Sequence, residues 1–378
     1  MTELVPFAER RFIIMKQGRT LEQLGEELQR QREARQDFLS DTTLMDFKAE
    51  DNGRSFISLN MKGKTQTFAV NELAHQQISQ RLQIPYRYYQ KMMVEQPDLL
   101  SENVNTWFHY APERRMLRTL DGEVRAFLSD RYRRLDNLEL CEAVLPIIRD
   151  MPGASINSCE VTPTHMYLKV VNKKLKAEVA VGDAVQAGFV ISNSEVGLGS
   201  VKIEPLIYRL VCKNGLVLKD YTQKKYHVGR QAEGDGAYEL YSDETLKADD
   251  KAFFMKVQDT VKVAVDEAKF IMAVDKLKES MDIPLGKDPV KEVELLADKY
   301  QLNPNERGDV LRQLFMGKDN SRYGLINAVT AASKMASTSY ERATDLERIG
   351  GEILAEPLPK VKEVINITPV RSLNAITA

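Results

Sequence analysis

The chain has 378 residues, 43% of them hydrophobic and 29% charged, with a formal net charge of −2. That length and apolar content suit a soluble protein with substantial cores, divided into two or perhaps three domains. No long uncharged apolar stretch is present, which argues against a membrane span or a secretory leader.

Thr20 and Gln23 stand at capping-box spacing, and Leu21, Leu24 and Leu28 follow at helical spacing, so a helix is expected within 1–41. Asp46 to Glu50 and Ser55 to Met61 flank the turn signal Asp51-Asn52-Gly53. Gly63 then separates Ser55–Met61 from a further strand over Thr65 to Val70. Asn71 has the residue type of an N-cap for a helix through Ala74, Ile78 and Leu82, which Ile84-Pro85-Tyr86 breaks before a short helix through Tyr88 to Met93. Arg118 to Arg125 reads as a β-hairpin about Asp121-Gly122. Leu138 to Leu145 reads as an amphipathic helix that Pro146 kinks or ends. Tyr167–Val171, Leu175–Val181 and Ala187–Ser192 add strands.

For Glu204 to Leu216 two structures are open. Pro205 and Gly215 frame a short helix, and Asn214-Gly215 equally suits a hairpin turn; we favour the helix. After the polar stretch 231–236 only helices are expected: one from Leu246 to Met281, then Val290–Tyr300, Glu306–Phe315 and Arg322–Ser337. The expected fold class is α+β, a mixed helix and antiparallel-strand core domain over 42–230 followed by an all-helical region over 243–350. The Pro-containing tail over 351–378 is expected to be extended or partly disordered.

Charge is segregated. Over 188–230, Lys202, Arg209, Lys213, Lys219, Lys224, Lys225 and Arg230 meet only Glu195, Glu204 and Asp220, a local charge of +4. Tyr208, Tyr221 and Tyr226 interleave with them. Over 113–134, seven arginines (Arg114, Arg115, Arg118, Arg125, Arg131, Arg133 and Arg134) meet Glu113, Asp121, Glu123 and Asp130, a local charge of +3, with Trp107, Phe108, Tyr110, Phe127 and Tyr132 within or beside the run; Phe127 is expected in the core and Trp107 is left open. Cations spaced along an element hold a phosphate backbone, and interleaved aromatics stack on unpaired bases. The competing reading is a solvated cationic face balanced by acids elsewhere.

Chemistry beyond binding finds little footing. His75, His109, His165 and His227 are scattered, and Cys141, Cys159 and Cys212 form no metal spacing, so reduced thiols in a cytoplasm are expected. Ser192 to Ser200 is a small-residue loop without the Gly-Lys-Ser/Thr ending of a P-loop; its glycines suit a tight turn. Glu195 and Asp183 are two loop acids, too few to define a cation site. No metal or cofactor is expected, and whether the chain has enzymatic activity is left open, with binding preferred.

The run Leu120 to Asn137, together with Met166-Tyr167-Leu168-Lys169, Gly188 to Gly197, Arg209 to Leu216 and His227-Val228-Gly229-Arg230, resembles the family labelled domain of unknown function 932. The resemblance spans about 65–350 and is strongest over 104–230. It implies a phage, plasmid or mobile-element protein working in a bacterial cytoplasm, and it supplies no catalytic residues.

The function expected is binding of single-stranded nucleic acid, DNA favoured, in recombination, annealing or DNA protection. The residues expected to contact it are Arg118, Arg125, Arg131, Arg133, Lys202, Arg209, Lys213, Tyr221, Lys224, Lys225 and Arg230. Arg125, Arg131, Arg209, Lys213, Lys224 and Lys225 are expected on one continuous surface. The alternative is an interaction protein, an inhibitor or decoy acting on a bacterial host defence or replication factor. A homo-oligomer is left open, and no membrane partner is expected.

Overall fold

Thr20 caps the first helix, α1 (Leu21–Ala34): its hydroxyl accepts from the Gln23 N–H, and the Gln23 side chain accepts from the Thr20 N–H. This satisfies two backbone groups at the helix start, as the sequence spacing predicts. The computed structural model describes residues 18–61, 63–132, 134–218, 243–335 and 338–355.

The first sheet contains β1 (Gln36–Asp41), β2 (Met45–Ala49), β3 (Ser55–Met61), β4 (Lys64–Val70), β5 (Arg114–Leu120) and β6 (Glu123–Ser129), in the order β1-β5-β6-β4-β3-β2. All neighbours are antiparallel except the short parallel pairing of β4 with β6. Asp121 and Gly122 both take positive φ, which is what a two-residue turn needs to match the strand twist. Asn71 accepts from the Ala74 N–H and starts α2 (Glu72–Arg81), followed by α3 (Tyr86–Glu95) and α4 (Pro97–Tyr110). These helices bury Ile78, Tyr89, Leu100, Val104 and Phe108 against Phe47, Ile57, Leu59, Leu117 and Phe127 of the sheet. Each such side chain contributes about 1.5–3 kcal/mol through burial. Asn105 of α4 both accepts from the Phe47 N–H and donates to the Phe47 carbonyl, at 2.8 Å each, while Ser101 accepts from the Ala49 N–H. The edge of β2 is thereby covered.

A second, antiparallel sheet has the order β11-β10-β9-β8-β7. Its strands are β7 (Ala154–Val161), β8 (Met166–Ala180), β9 (Asp183–Asn193), β10 (Lys202–Arg209) and β11 (Asn214–Val217). One face packs Met166, Leu168, Val170, Phe189 and Ile191 against α1, α5 (Asn137–Asp150) and α6 (Asp243–Lys262). The far end of the sheet, through Val185, Ala187, Ile207 and Leu216, joins a core shared with the C-terminal helices. Those helices are α7 (Glu267–Met281), α8 (Pro289–Tyr300), α9 (Pro304–Gly317), α10 (Arg322–Ala332) and α11 (Tyr340–Ala355). The opposite face carries Tyr167, Val171, Val190 and Leu206, with Tyr340 of α11 packed on it. The fold is α+β with a helical C-terminal region. No helix among the described residues is long and apolar enough to cross a membrane.

Several elements differ from the sequence reading. Residues 204–216 form a hairpin, not a helix, and its loop is Leu210 to Lys213 because Arg209 pairs with Asn214. Gly215 therefore lies within β11, where a Cβ would meet the Leu206 and Glu347 side chains. Pairing of β10 with β9 along its whole length, and burial of Ile207 and Leu216 in the core of the C-terminal helices, outweigh the helix-like framing by Pro205 and Gly215. Tyr167–Val171 and Leu175–Val181 belong to one long strand, β8, interrupted by a register shift between Asn172 and Lys176. Pro146 lies inside α5 without ending it; Cys141, Val144 and Ile148 keep the helix anchored to the core. The single helix expected from Leu246 to Met281 divides into α6 and α7, and the Asp266 side chain caps α7 by accepting from the Lys269 N–H. Helix α4 is an addition. Of the expected tail, 351–355 belong to α11 and the rest lies outside the described residues.

Candidate nucleic-acid interface

Arg118 and Arg125, expected along a phosphate backbone, point instead into the junction between the two sheets. The cause is local. Arg118 pairs with Ala126 and Thr119 with Val124, so Arg125 is the extra residue of a β-bulge. The bulge turns Arg125 to the same side as Ala126 and Leu128, toward the second sheet. There Arg125 donates to the Glu195 carboxylate at 2.7 Å. Arg118 is fully buried and donates to both Asp37 oxygens at 3.1 Å, to Asp136 at 2.6 Å and to the Glu195 carbonyl at 3.0 Å. Burial works against the Arg118 charge, but Asp136 and Asp37 outweigh it and hold its proton more tightly than usual. Burial likewise raises the Asp136 carboxyl, and Arg118 and Arg35 more than reverse this. These arginines join β1, β5, β6, α5 and the loop after β9 into one structure.

The second basic segment is dispersed. Arg209 forks onto Asp183 with two 2.5 Å hydrogen bonds and lies 5.5 Å from the centre of the Tyr323 ring, whose hydroxyl also donates to Asp183. Lys213 is exposed in the β10–β11 loop with φ +51°. Lys202 is exposed at the other end of β10, roughly 23 Å away along the strand. The expected continuous surface is therefore not formed by Arg125, Arg209 and Lys213. Arg133, Lys219, Tyr221, Lys224, Lys225 and Arg230 lie outside the described residues.

Arg131 belongs to a different constellation. An open cleft of about 780 Å³ lies between the end of α2, the open end of the β5–β6 hairpin and the loop after β9. Among the described residues Arg81, Arg114, Arg115 and Arg131 line it, against Glu113 and Asp130. Gln77 joins its walls by accepting from the Phe127 N–H at 2.7 Å and donating to the Val196 carbonyl at 2.8 Å. Gly197 completes the rim at φ +83°, where a Cβ would stand 2.6 Å from the Leu128 side chain. Glycine takes that φ without strain and leaves the Leu128 side chain in place.

Within the cleft, Glu113 is shared by two guanidiniums. Arg81 forks onto it, with Nε 2.5 Å from Oε1, and Arg115 donates from Nε at 2.9 Å. Burial pushes the Glu113 carboxyl up, but hydrogen bonds from Arg81 and Arg115 overcome this and hold it below its usual range. Arg115 also lies 5.5 Å from the centre of the Phe127 ring, and Arg114 is exposed. Three residues before Glu113, α4 ends with Trp107 and Tyr110 in its last turn, 44% and 79% exposed and edge to face at 5.8 Å. Thr42 fixes that end by donating to the Phe108 carbonyl and accepting from the Glu113 N–H. Among the described residues no group of three or more His, Cys, Asp or Glu is placed to hold a metal ion.

The model of the family described as Domain of unknown function (DUF932) matches residues 126–334, more than half of the chain. The chain belongs to this family. The match runs from β6 through the second sheet into α10, so DUF932 covers Phe127, Ser129, Asp130, Arg131 and Gly197 of the cleft. Arg81, Glu113, Arg114 and Arg115 lie before the matched span, on elements that precede it. No curated protein and no solved structure matches the chain.

Sequence reasoning missed Arg81 and the role of Glu113. Arg81 reads as an ordinary basic residue in the last turn of a helix. Glu113 lies 32 residues further on, and nothing in either segment signals their meeting.

Proposed function

We propose that this protein binds single-stranded nucleic acid, with DNA favoured, along the cleft lined by Arg81, Arg114, Arg115 and Arg131. The observation that carries the reading is the convergence of four arginines on one open cleft, against two acids among the described residues. Guanidinium forks match phosphate oxygens and are the usual source of sequence-independent affinity. The exposed pair Trp107 and Tyr110, at the end of the helix that leads to Glu113, offers faces for unpaired bases. Roles in recombination, annealing or protection of phage or plasmid DNA are consistent with such binding.

A second reading, docking of a bacterial host protein, draws on Phe315 and Met316 of α9 and on Ile271 and Met272 of α7, all largely exposed. A titration with single-stranded and double-stranded DNA and RNA over a range of salt separates the two. Salt-sensitive binding that favours single strands supports the first. Absence of binding to every nucleic acid at low salt leaves the second.

A further inference from the structure

A carboxylate held by two arginines in an otherwise cationic cleft stands where a phosphate would be held. Glu113 presents both oxygens to Arg81 and one to Arg115, the forked geometry by which guanidiniums also take phosphate. Its side chain is about one quarter exposed, so it faces the cleft and is not sealed in the core. The backbone at this position is secured separately: the Glu113 N–H donates to the Thr42 hydroxyl, and its carbonyl accepts from the Thr42 N–H. The side chain is thus free to be displaced without loosening the strand start. Contrast Glu195, whose carboxylate is buried and holds Arg125 and the Asn137 N–H in the junction.

We propose that Glu113 is an affinity-determining residue of the cleft, whose carboxylate occupies a phosphate seat and competes with polyanionic ligands for Arg81 and Arg115. This rests on the reading of the cleft as a phosphate-binding site. An incoming phosphate must displace the Glu113 carboxylate from two guanidiniums. A single monoanion gains little by the exchange. A chain of phosphates that also reaches the exposed Arg114 gains more, so Glu113 sets a threshold that favours polymers over small anions.

The test is Glu113→Gln, which keeps the side-chain shape and removes the competing charge. Two probes are titrated at fixed salt: inorganic pyrophosphate and an oligothymidylate of about 20 nucleotides. The expected result is tighter binding of both by about tenfold relative to the unsubstituted protein. Circular dichroism checks that the variant is folded, and Glu113→Ala serves if it is not. Oligothymidylate binding by the unsubstituted protein without a gain in the variant overturns this inference and leaves the proposed function standing. A gain for pyrophosphate with no oligothymidylate binding by either protein supports the Glu113 role and removes the nucleic-acid reading. Binding of neither probe by the variant removes both.

Discussion

Replacing Arg118 with Met removes four hydrogen bonds from a site that water does not reach. The cost follows from what is left behind. Asp136 keeps Arg35 at 2.5 Å, whereas among the described residues Asp37 keeps Arg134, at 3.8 Å and largely exposed. Stripping one partner from a buried ion pair costs about 3–5 kcal/mol, and the surviving Arg35 interaction places this case near the lower end, at about 3 kcal/mol. Urea denaturation followed by circular dichroism, and by the fluorescence of Trp107, measures the loss. In the unsubstituted protein the Asp136 carboxyl is held below its usual value, so it contributes stability that disappears as pH falls through the folded pKa. In the variant Asp136 loses Arg118, the strongest influence that opposes burial, so its carboxyl rises and lowering the pH from neutral toward 5 should narrow the deficit. A loss under about 1 kcal/mol, or a deficit that widens on acidification, refutes the assignment of Arg118 to a buried structural network.

Burial holds the His75 imidazole at about 4, down from 6.5. The folded state thus favours the neutral form, so stability should fall as pH drops from 6.5 to about 4, by about 3 kcal/mol for this group, and an NMR titration should place the His75 pKa near 4. Burial pushes the Cys141 thiol up to about 12 and the Cys159 thiol up to about 11, so in the folded protein a disulfide-exchange reagent should label half-buried Cys212 alone, and all three after unfolding. Gly197→Ala forces a side chain into a positive-φ position beside Leu128 and should cost about 1–2 kcal/mol by urea denaturation. Gly199→Ala, which meets only His165 Nε2 at 3.5 Å, should be close to neutral.

Local rules carried the sequence reading where one segment decides the structure. Asp121-Gly122 can be read as a hairpin turn because the required φ values belong to those two residues themselves. The Thr20–Gln23 box and the Asn71 cap are similar cases. The reading failed where a distant surface decides. Gly215 resembles a helix stop until Glu347 and Leu206 arrive beside it. The break between α6 and α7 carries no proline or glycine, only the Asp266 cap. Helix α4 left a usable signal, Pro97 in its first turn with Leu100, Val104 and Phe108 at intervals of four. The candidate site was legible only as an excess of arginine. Which of those arginines are consumed inside the protein depends on Asp37, Asp136 and Glu195, and their proximity follows from the meeting of two sheets.

Salt-dependent titration of an oligothymidylate against the protein and its Arg81→Gln/Arg114→Gln/Arg131→Gln variant measures the claim at the centre of this account. Binding by the unsubstituted protein should weaken steeply with salt. The variant should bind more weakly, with the slope of log K against log salt reduced in magnitude by roughly 2, about 0.7 for each phosphate that no longer meets a guanidinium. No binding at low salt, or binding whose affinity and slope are unchanged in the variant, would contradict the assignment of the cleft.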